Sequence, residues 1–180
     1  MKNIWLLITV LLVSCKPCQN IDYNLKEAVL IKTANCPDNA ECSVELIPNK
    51  SLEFKKDGIG ALYPVITEGD KTILKYTFNK NTIPNTQDGS YTEVVFAELD
   101  KTITHVSLTS KELQTVKLHF GRLCYCKGQT GYYPITNGNF NIKKSGKKSI
   151  EITIDFKISE VPQIISKINE IVSLKSNATN

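Results

Sequence analysis

The residues with the widest chemical range in this 180-residue chain are its six cysteines: Cys15, Cys18, Cys36, Cys42, Cys124 and Cys126. In an oxidising compartment the default fate of paired cysteines is a disulfide. Cys36 and Cys42 bracket a short turn-rich loop, Asn35-Cys36-Pro37-Asp38-Asn39-Ala40-Glu41-Cys42, which favours a local bridge. Cys124 and Cys126 are different. On an extended strand they share a face with Cα atoms about 7 Å apart, at or beyond the limit for bridging. They pair with each other only if the chain bends between them; otherwise they pair with Cys36 and Cys42, or one of them takes Cys18. Four domain cysteines allow three connectivities, and spacing does not choose. A sharper use of Cys124 and Cys126 is a soft-metal or redox centre, with His119 upstream as a third group. Against it, the spacing is not Cys-x-x-Cys, and His119 has the opposite strand parity unless a bulge at Gly121 reverses it. Metal is therefore a weak alternative, and no cofactor is expected.

Other reactive groups are sparse. His105 and His119 are the only histidines, and each falls in a predicted strand. No nucleophile elbow, His-Glu-x-x-His helix, phosphate-binding glycine loop or dinucleotide fingerprint occurs. Glu93, Glu98 and Asp155 are scattered carboxylates with no sign of convergence as a general acid and base. Asp38, Asn39 and Glu41 miss the spacing of a calcium loop and read as a turn. The two Asn-x-Ser/Thr acceptor sequences, at Asn49 and Asn177, read as coincidental. No catalytic residue is nominated, and the chain reads as a non-enzyme. The best recognition candidate is the glycine-rich stretch Lys127 to Pro134. Its adjacent tyrosines, Tyr132 and Tyr133, would face opposite sides of a strand, and an exposed tyrosine offers rigid amphipathic area.

The elements that would position these residues are mostly short runs of β-formers between turn signals. Strands are expected at Glu27 to Lys32, Thr72 to Phe78 and Tyr91 to Leu99. Hairpins are expected around Pro48-Asn49, and around Asn137-Gly138, whose residues suit a tight I′ turn. Asp57-Gly58 and Glu68-Gly69-Asp70 read as further turns. Thr102 to Leu108 and Gln114 to Cys126 read as strands flanking a turn at Ser110-Lys111. Ile150, Ile152, Ile154, Phe156 and Ile158 alternate with polar residues, the mark of a half-buried strand. After it, Val161, Ile164, Ile165, Ile168, Ile171 and Val172 recur at helical spacing, with Pro162 in the first turn. This predicts an amphipathic helix over 161–174 that covers one face of the sheet.

The fold class is thus mainly β: an antiparallel β-sandwich, or a small barrel, with one C-terminal amphipathic helix. A barrel with such a helix is similar to lipocalins, but the single Trp is Trp5, so their Gly-x-Trp signature is missing. The sandwich is preferred. Net charge is only +4. The one basic cluster, Lys143-Lys144-Ser145-Gly146-Lys147-Lys148, reads as a solvated hairpin turn, and nucleic acid is not an expected partner.

The N-terminus sets the compartment. Met1-Lys2-Asn3 is a positive start, and Ile4 to Val13 is an apolar run too short for a bilayer-spanning helix, which needs about 20 residues. Leu12-Val13-Ser14-Cys15 follows and resembles the lipobox of bacterial lipoproteins. That resemblance covers the leader alone. It implies a signal peptide over 1–14, lipidation of Cys15, and anchoring of the chain in a membrane of the bacterial cell envelope. With no Asp after Cys15, the outer membrane is favoured, facing periplasm or surface. Residues 15–25 read as a polar tether and 26–176 as a single β-rich domain. Lipidated Cys15 leaves five thiols, with Cys18 in the tether as the odd one out. The function expected is a non-catalytic binding or structural module for a protein or glycan. The alternative is an envelope metal- or thiol-handling protein using Cys124 and Cys126.

Overall fold

A computed structural model describes residues 23–82 and 84–174, so the leader, Cys15, Cys18 and Asn177 lie outside the described residues. The expected tether ends sooner than residue 25. Tyr23–Asn24 form a short strand, β1, and Leu25 is already buried in the core. Eleven further strands follow: β2 (Val29–Lys32), β3 (Ala40–Lys56), β4 (Leu62–Lys80), β5 (Tyr91–Asp100), β6 (Thr102–Ile103), β7 (Val106–Thr109), β8 (His119–Cys124), β9 (Gly131–Pro134), β10 (Gly138–Gly146), β11 (Ser149–Phe156) and β12 (Lys167–Ser173). One 3-10 helical segment, Ser110–Val116, lies between β7 and β8.

The strands form a six-stranded sheet, β2-β3-β4-β5-β8-β9, and a four-stranded sheet, β12-β11-β10-β7, with β1 and β6 paired separately. All pairings are antiparallel. The arrangement is sandwich-like, and the strands do not close into a barrel. Alternation does the work. Val44, Leu46, Leu74, Tyr76, Phe78, Val95, Ala97 and Phe120 from the larger sheet share one core with Phe140, Ile142, Ile150, Ile152, Ile154 and Phe156 from the smaller. The period-two pattern predicted for Ile150 to Phe156 is β11 itself.

The C-terminal helix is replaced by strand. Lys167–Ser173 pairs with β11 from Asp155↔Lys167 to Ser149↔Ser173, and its burial alternates strictly. Ile168, Glu170 and Val172 point inward, while Ile171 stays exposed. The apolar residues here are all Ile and Val, whose β-branching suits a pleated surface better than a helix. An open edge on β11 also offers partners for a whole row of backbone groups. Upstream, side chains replace helical hydrogen bonds. Gln163 accepts from Ile158 N (2.5 Å) and donates to Ile165 O (2.8 Å), and Glu93 accepts from the amides of Ile164 and Ile165 (both 2.7 Å).

Three expected hairpins are also absent. Asn137-Gly138 does not join paired strands: β9 ends the six-stranded sheet, and β10 runs in the other one. Gly138 (φ 146°) lies where a Cβ would fall 2.1 Å from the carbonyl oxygen of Asp155, so glycine is demanded by close approach of β11. Likewise Thr102 to Leu108 and Gln114 to Cys126 do not pair across Ser110-Lys111, because β7 and β8 belong to different sheets. Pro48-Asn49 and Glu68-Gly69-Asp70 are not chain reversals. They face each other inside one long β3–β4 hairpin, where the register shifts on both strands and Asn49 adopts φ 58°. Asn tolerates this left-handed conformation. The reversal comes later, at Asp57. Its carboxylate accepts from Ile59 N (2.9 Å) and Ala61 N (2.8 Å).

Candidate functional site

The paired bulges at Pro48–Lys50 and Glu68–Lys71 turn the end of the β3–β4 hairpin into a separate arm. Beyond them β3 and β4 pair only with each other, since β2 stops opposite Leu46 and β5 opposite Lys71. The extra residue on β3 changes the parity of the strand. Leu52 and Phe54 therefore continue the face of Ile47 and pack on the outer side of the large sheet, against Ile73, Val94 and Phe96. Leu52 is the tie point. Its N–H donates to Glu98 Oε2 (2.7 Å) and its carbonyl accepts from Lys117 Nζ (2.7 Å), and Lys117 and Glu98 are themselves an ion pair at 2.7 Å.

Under the arm, His119 stacks on Phe54 at a centroid distance of 3.7 Å, with its Nδ1 2.9 Å from the carbonyl oxygen of Lys117. Burial pushes the imidazole pKa below its ordinary value, opposed by that backbone hydrogen bond. Tyr132 completes the layer. Its ring lies across Gly121, where a Cβ would meet it at 2.5 Å, so Gly121 seats an aromatic ring in a regular ladder and forms no bulge. Burial raises the Tyr132 pKa.

The arm leaves large apolar side chains uncovered at its turn and on both of its faces. Ile59 is 91% exposed, Tyr63 42% and Ile66 39%, on the turn and on β4. These residues carry little signal in sequence order, because Pro48-Asn49, Asp57-Gly58 and Glu68-Gly69-Asp70 read as three separate reversals and not as one arm. Its one legible signal was Ile59, an isoleucine between two glycines in a turn.

The second chemical locus is the β8–β9 loop. Cys124 and Cys126 stand at bridging distance from each other, Cα to Cα 5.2 Å, because the chain bends at Tyr125 as β8 ends. Cys36 and Cys42 form the other pair, Cα to Cα 5.4 Å. The settings differ. Cys42 is buried opposite Phe78 and Cys36 packs on the main core, whereas Cys124 and Cys126 are half-buried beside Tyr125, which is 82% exposed. They border a groove of about 210 Å³ walled by Lys80, Asn81, Asp88 and Tyr91. The loop is held independently of the cysteines. Arg122 donates through Nη1 to Gln129 Oε1 (2.6 Å) and through Nε to Tyr91 Oη (3.2 Å), and Thr130 Oγ1 donates to Arg122 O (3.0 Å). Tyr91 in turn donates to Glu93 Oε1 (2.5 Å). Burial first, then this carboxylate, raises the Tyr91 pKa.

His119 stays apart from the cysteines. Cys124 shares the inner side of β8 with Phe120, while His119 faces the arm, and among the described residues no group of three His, Cys, Asp or Glu side chains is placed to hold a metal. Tyr132 and Tyr133 do face opposite ways, one on the arm cluster and one on the main core, and both are half-buried. The exposed tyrosine of this region is Tyr125. Glu93 and Glu98 also face opposite sides, and His105 lies in the connection between β6 and β7, outside either strand. The polar chain Gln129–Arg122–Tyr91–Glu93, which runs from the exposed loop to the buried Glu93, has no sequence signal, since it joins residues from three elements. No family model matches this chain, and no curated protein or solved structure does.

Proposed function

We propose that the chain is a lipid-anchored protein of the bacterial cell envelope, acting as a non-catalytic binding module whose recognition surface is the β3–β4 arm. The observation that carries this reading is that Ile59 at the turn, and Tyr63 and Ile66 on the two faces of the ribbon, are large apolar side chains open to solvent outside the sandwich. Isolated exposed apolar residues are common, but several gathered near the tip of one projecting element suit an interaction surface. Tyrosine and isoleucine there offer area with few polar groups to desolvate. The partner that fits is a protein with an apolar cleft.

The anchor reading rests on the lipobox-like leader, and the entry of the chain into the domain is compatible with it. Tyr23 Oη donates to the carbonyl oxygens of Gly146 (3.1 Å) and Lys147 (2.7 Å). The segment arriving from Cys15 therefore joins the fold beside the basic turn Lys143–Lys148, which suits a face turned to anionic headgroups.

Two experiments test the two halves. A photo-crosslinking residue at position 59 in envelope preparations should capture one discrete partner, and the same residue at Asp155, exposed on β11, should not. Equal, diffuse labelling from both sites contradicts the arm as the recognition surface. For the anchor, a fatty-acid probe should label the wild-type chain and fail to label Cys15→Ala. Persistence of label in that variant contradicts lipidation at Cys15.

A further inference from the structure

The two cysteine pairs invite different uses, and we propose that Cys124–Cys126 is a thiol–disulfide exchange site that takes the cysteine thiols of an extended peptide. This inference stands apart from the arm and from the anchor. Three features of the locus carry it.

The bridge closes a minimal loop, with a sequence separation of 2, so it restrains the unfolded chain less than any longer loop would. Its presence is poorly explained by stability. It is also accessible, since both cysteines are half-buried at a bend, outside either apolar cluster, along a groove that reaches Lys80 and Asp88. Disulfides placed in this way are the labile ones, and those packed in cores resist reduction. Finally, the loop does not depend on the bridge for its shape. Arg122 clamps Gln129, Thr130 clamps Arg122, and the turn bond from Gln129 N to Cys126 O (3.0 Å) closes the far side. Both oxidised and reduced forms can therefore keep the same loop.

The step is a pair of displacements. A substrate thiolate attacks Cys126 Sγ, the sulfur outside the strand, forming a substrate–Cys126 bond while the Cys124–Cys126 bond breaks and Cys124 leaves as thiolate. A second thiolate of the same peptide attacks the substrate sulfur of this mixed disulfide, and Cys126 leaves. The peptide dithiol becomes a disulfide, and its two electrons and two protons reside on Cys124 and Cys126. One equivalent of peptide is oxidised per chain. Lys80, a cation on the wall of the same groove, favours the departing thiolates. Tyr125, exposed between the sulfurs, gives the peptide a rigid surface to lie on.

The test titrates the full chain with dithiothreitol and reads each cysteine by alkylation and peptide mass spectrometry. Cys124 and Cys126 should open at a reductant concentration lower by about tenfold or more than Cys36 and Cys42, a gap of about 30 mV. With oxidised glutathione, Cys124→Ser should carry the adduct on Cys126, and one equivalent of a reduced dithiol peptide should be oxidised by the unreduced chain. The Cys124→Ala/Cys126→Ala variant should keep the unreduced melting temperature and lose peptide oxidation. Opening of both pairs at one concentration, absence of the adduct, or collapse of the fold in the double variant each overturns the proposal.

Discussion

The described residues hold two apolar clusters on opposite sides of one sheet, and they are built very differently. The main cluster is closed by two sheets. Its residues come from strands paired on both edges, such as Val95 on β5, or from strands facing them across the core, such as Phe140 on β10. The second cluster, Leu52, Ile73, Val94 and Phe96, is closed from outside the sheet by a two-stranded ribbon, with Tyr132 of β9 at its side. A two-stranded ribbon is marginal in water without a surface to rest on. Its closure therefore depends on a few contacts: Leu52 and Phe54 below, Glu98 and Lys117 at the tie point. The comparison teaches a division of labour. The sandwich is expected to unfold as one cooperative scaffold, and the arm, which carries exposed apolar groups, to open locally.

Substitutions on the two sides should separate these roles. Phe140→Ala, in the middle of the main cluster, is expected to cost about 3–5 kcal/mol and to lower the melting transition of the whole domain. Leu52→Ala removes a comparable apolar group but from the ribbon; its cost of about 2–4 kcal/mol should fall on arm closure. Amide exchange should then accelerate in residues 51–67, while the thermal transition of the sandwich moves little.

Acid offers a smaller probe. The neutral form of His119 is the one favoured under the arm, because burial lowers its pKa. Above the unperturbed value of about 6.5, both closed and open arms carry a neutral imidazole and nothing is lost. Below it the open arm binds a proton that the closed arm excludes, so closure weakens as pH falls, down to the lowered pKa of the closed form. Protection factors in 51–67, with the intrinsic pH dependence of exchange divided out, should fall over that window in wild type and stay flat in His119→Phe, which keeps the stacking. The smallest effect on stability belongs to Ile59→Asp. At a fully exposed position it should change stability by no more than about 0.5 kcal/mol, while abolishing capture of a partner through the arm.

Much of this plan was readable from residue order, and the failures share one physical cause. The β class, β11 and the strands at Thr72 to Phe78 and Tyr91 to Leu99 follow from local β-former content and alternation, properties of each segment alone, whereas the preference for a sandwich rests on the missing Gly-x-Trp signature. The local Cys36–Cys42 pair follows from a turn-rich loop of the same kind. Val161 to Val172 misled because its apolar spacing satisfies a helix, whereas the choice of strand depends on the vacant edge of β11, distant in sequence. Asn137-Gly138 misled because its turn chemistry is real but serves a crossing between sheets. Pro48-Asn49 and Gly69-Asp70 are bulges, and only their being opposite each other makes an arm. For the site, the bend that brings Cys124 to Cys126 was named as a condition but could not be read from spacing. The network of Tyr91, Glu93, Arg122 and Gln129 is assembled entirely by topology.

The central claim is that the arm opens on its own while the sandwich stays folded. Native-state hydrogen exchange measures this directly, comparing amides in residues 51–67 with those in Ser149–Phe156. The account predicts opening free energies in the arm several kcal/mol below those of β11, and insensitive to low denaturant. Equal protection in the two segments, falling together with the global unfolding transition, would contradict it.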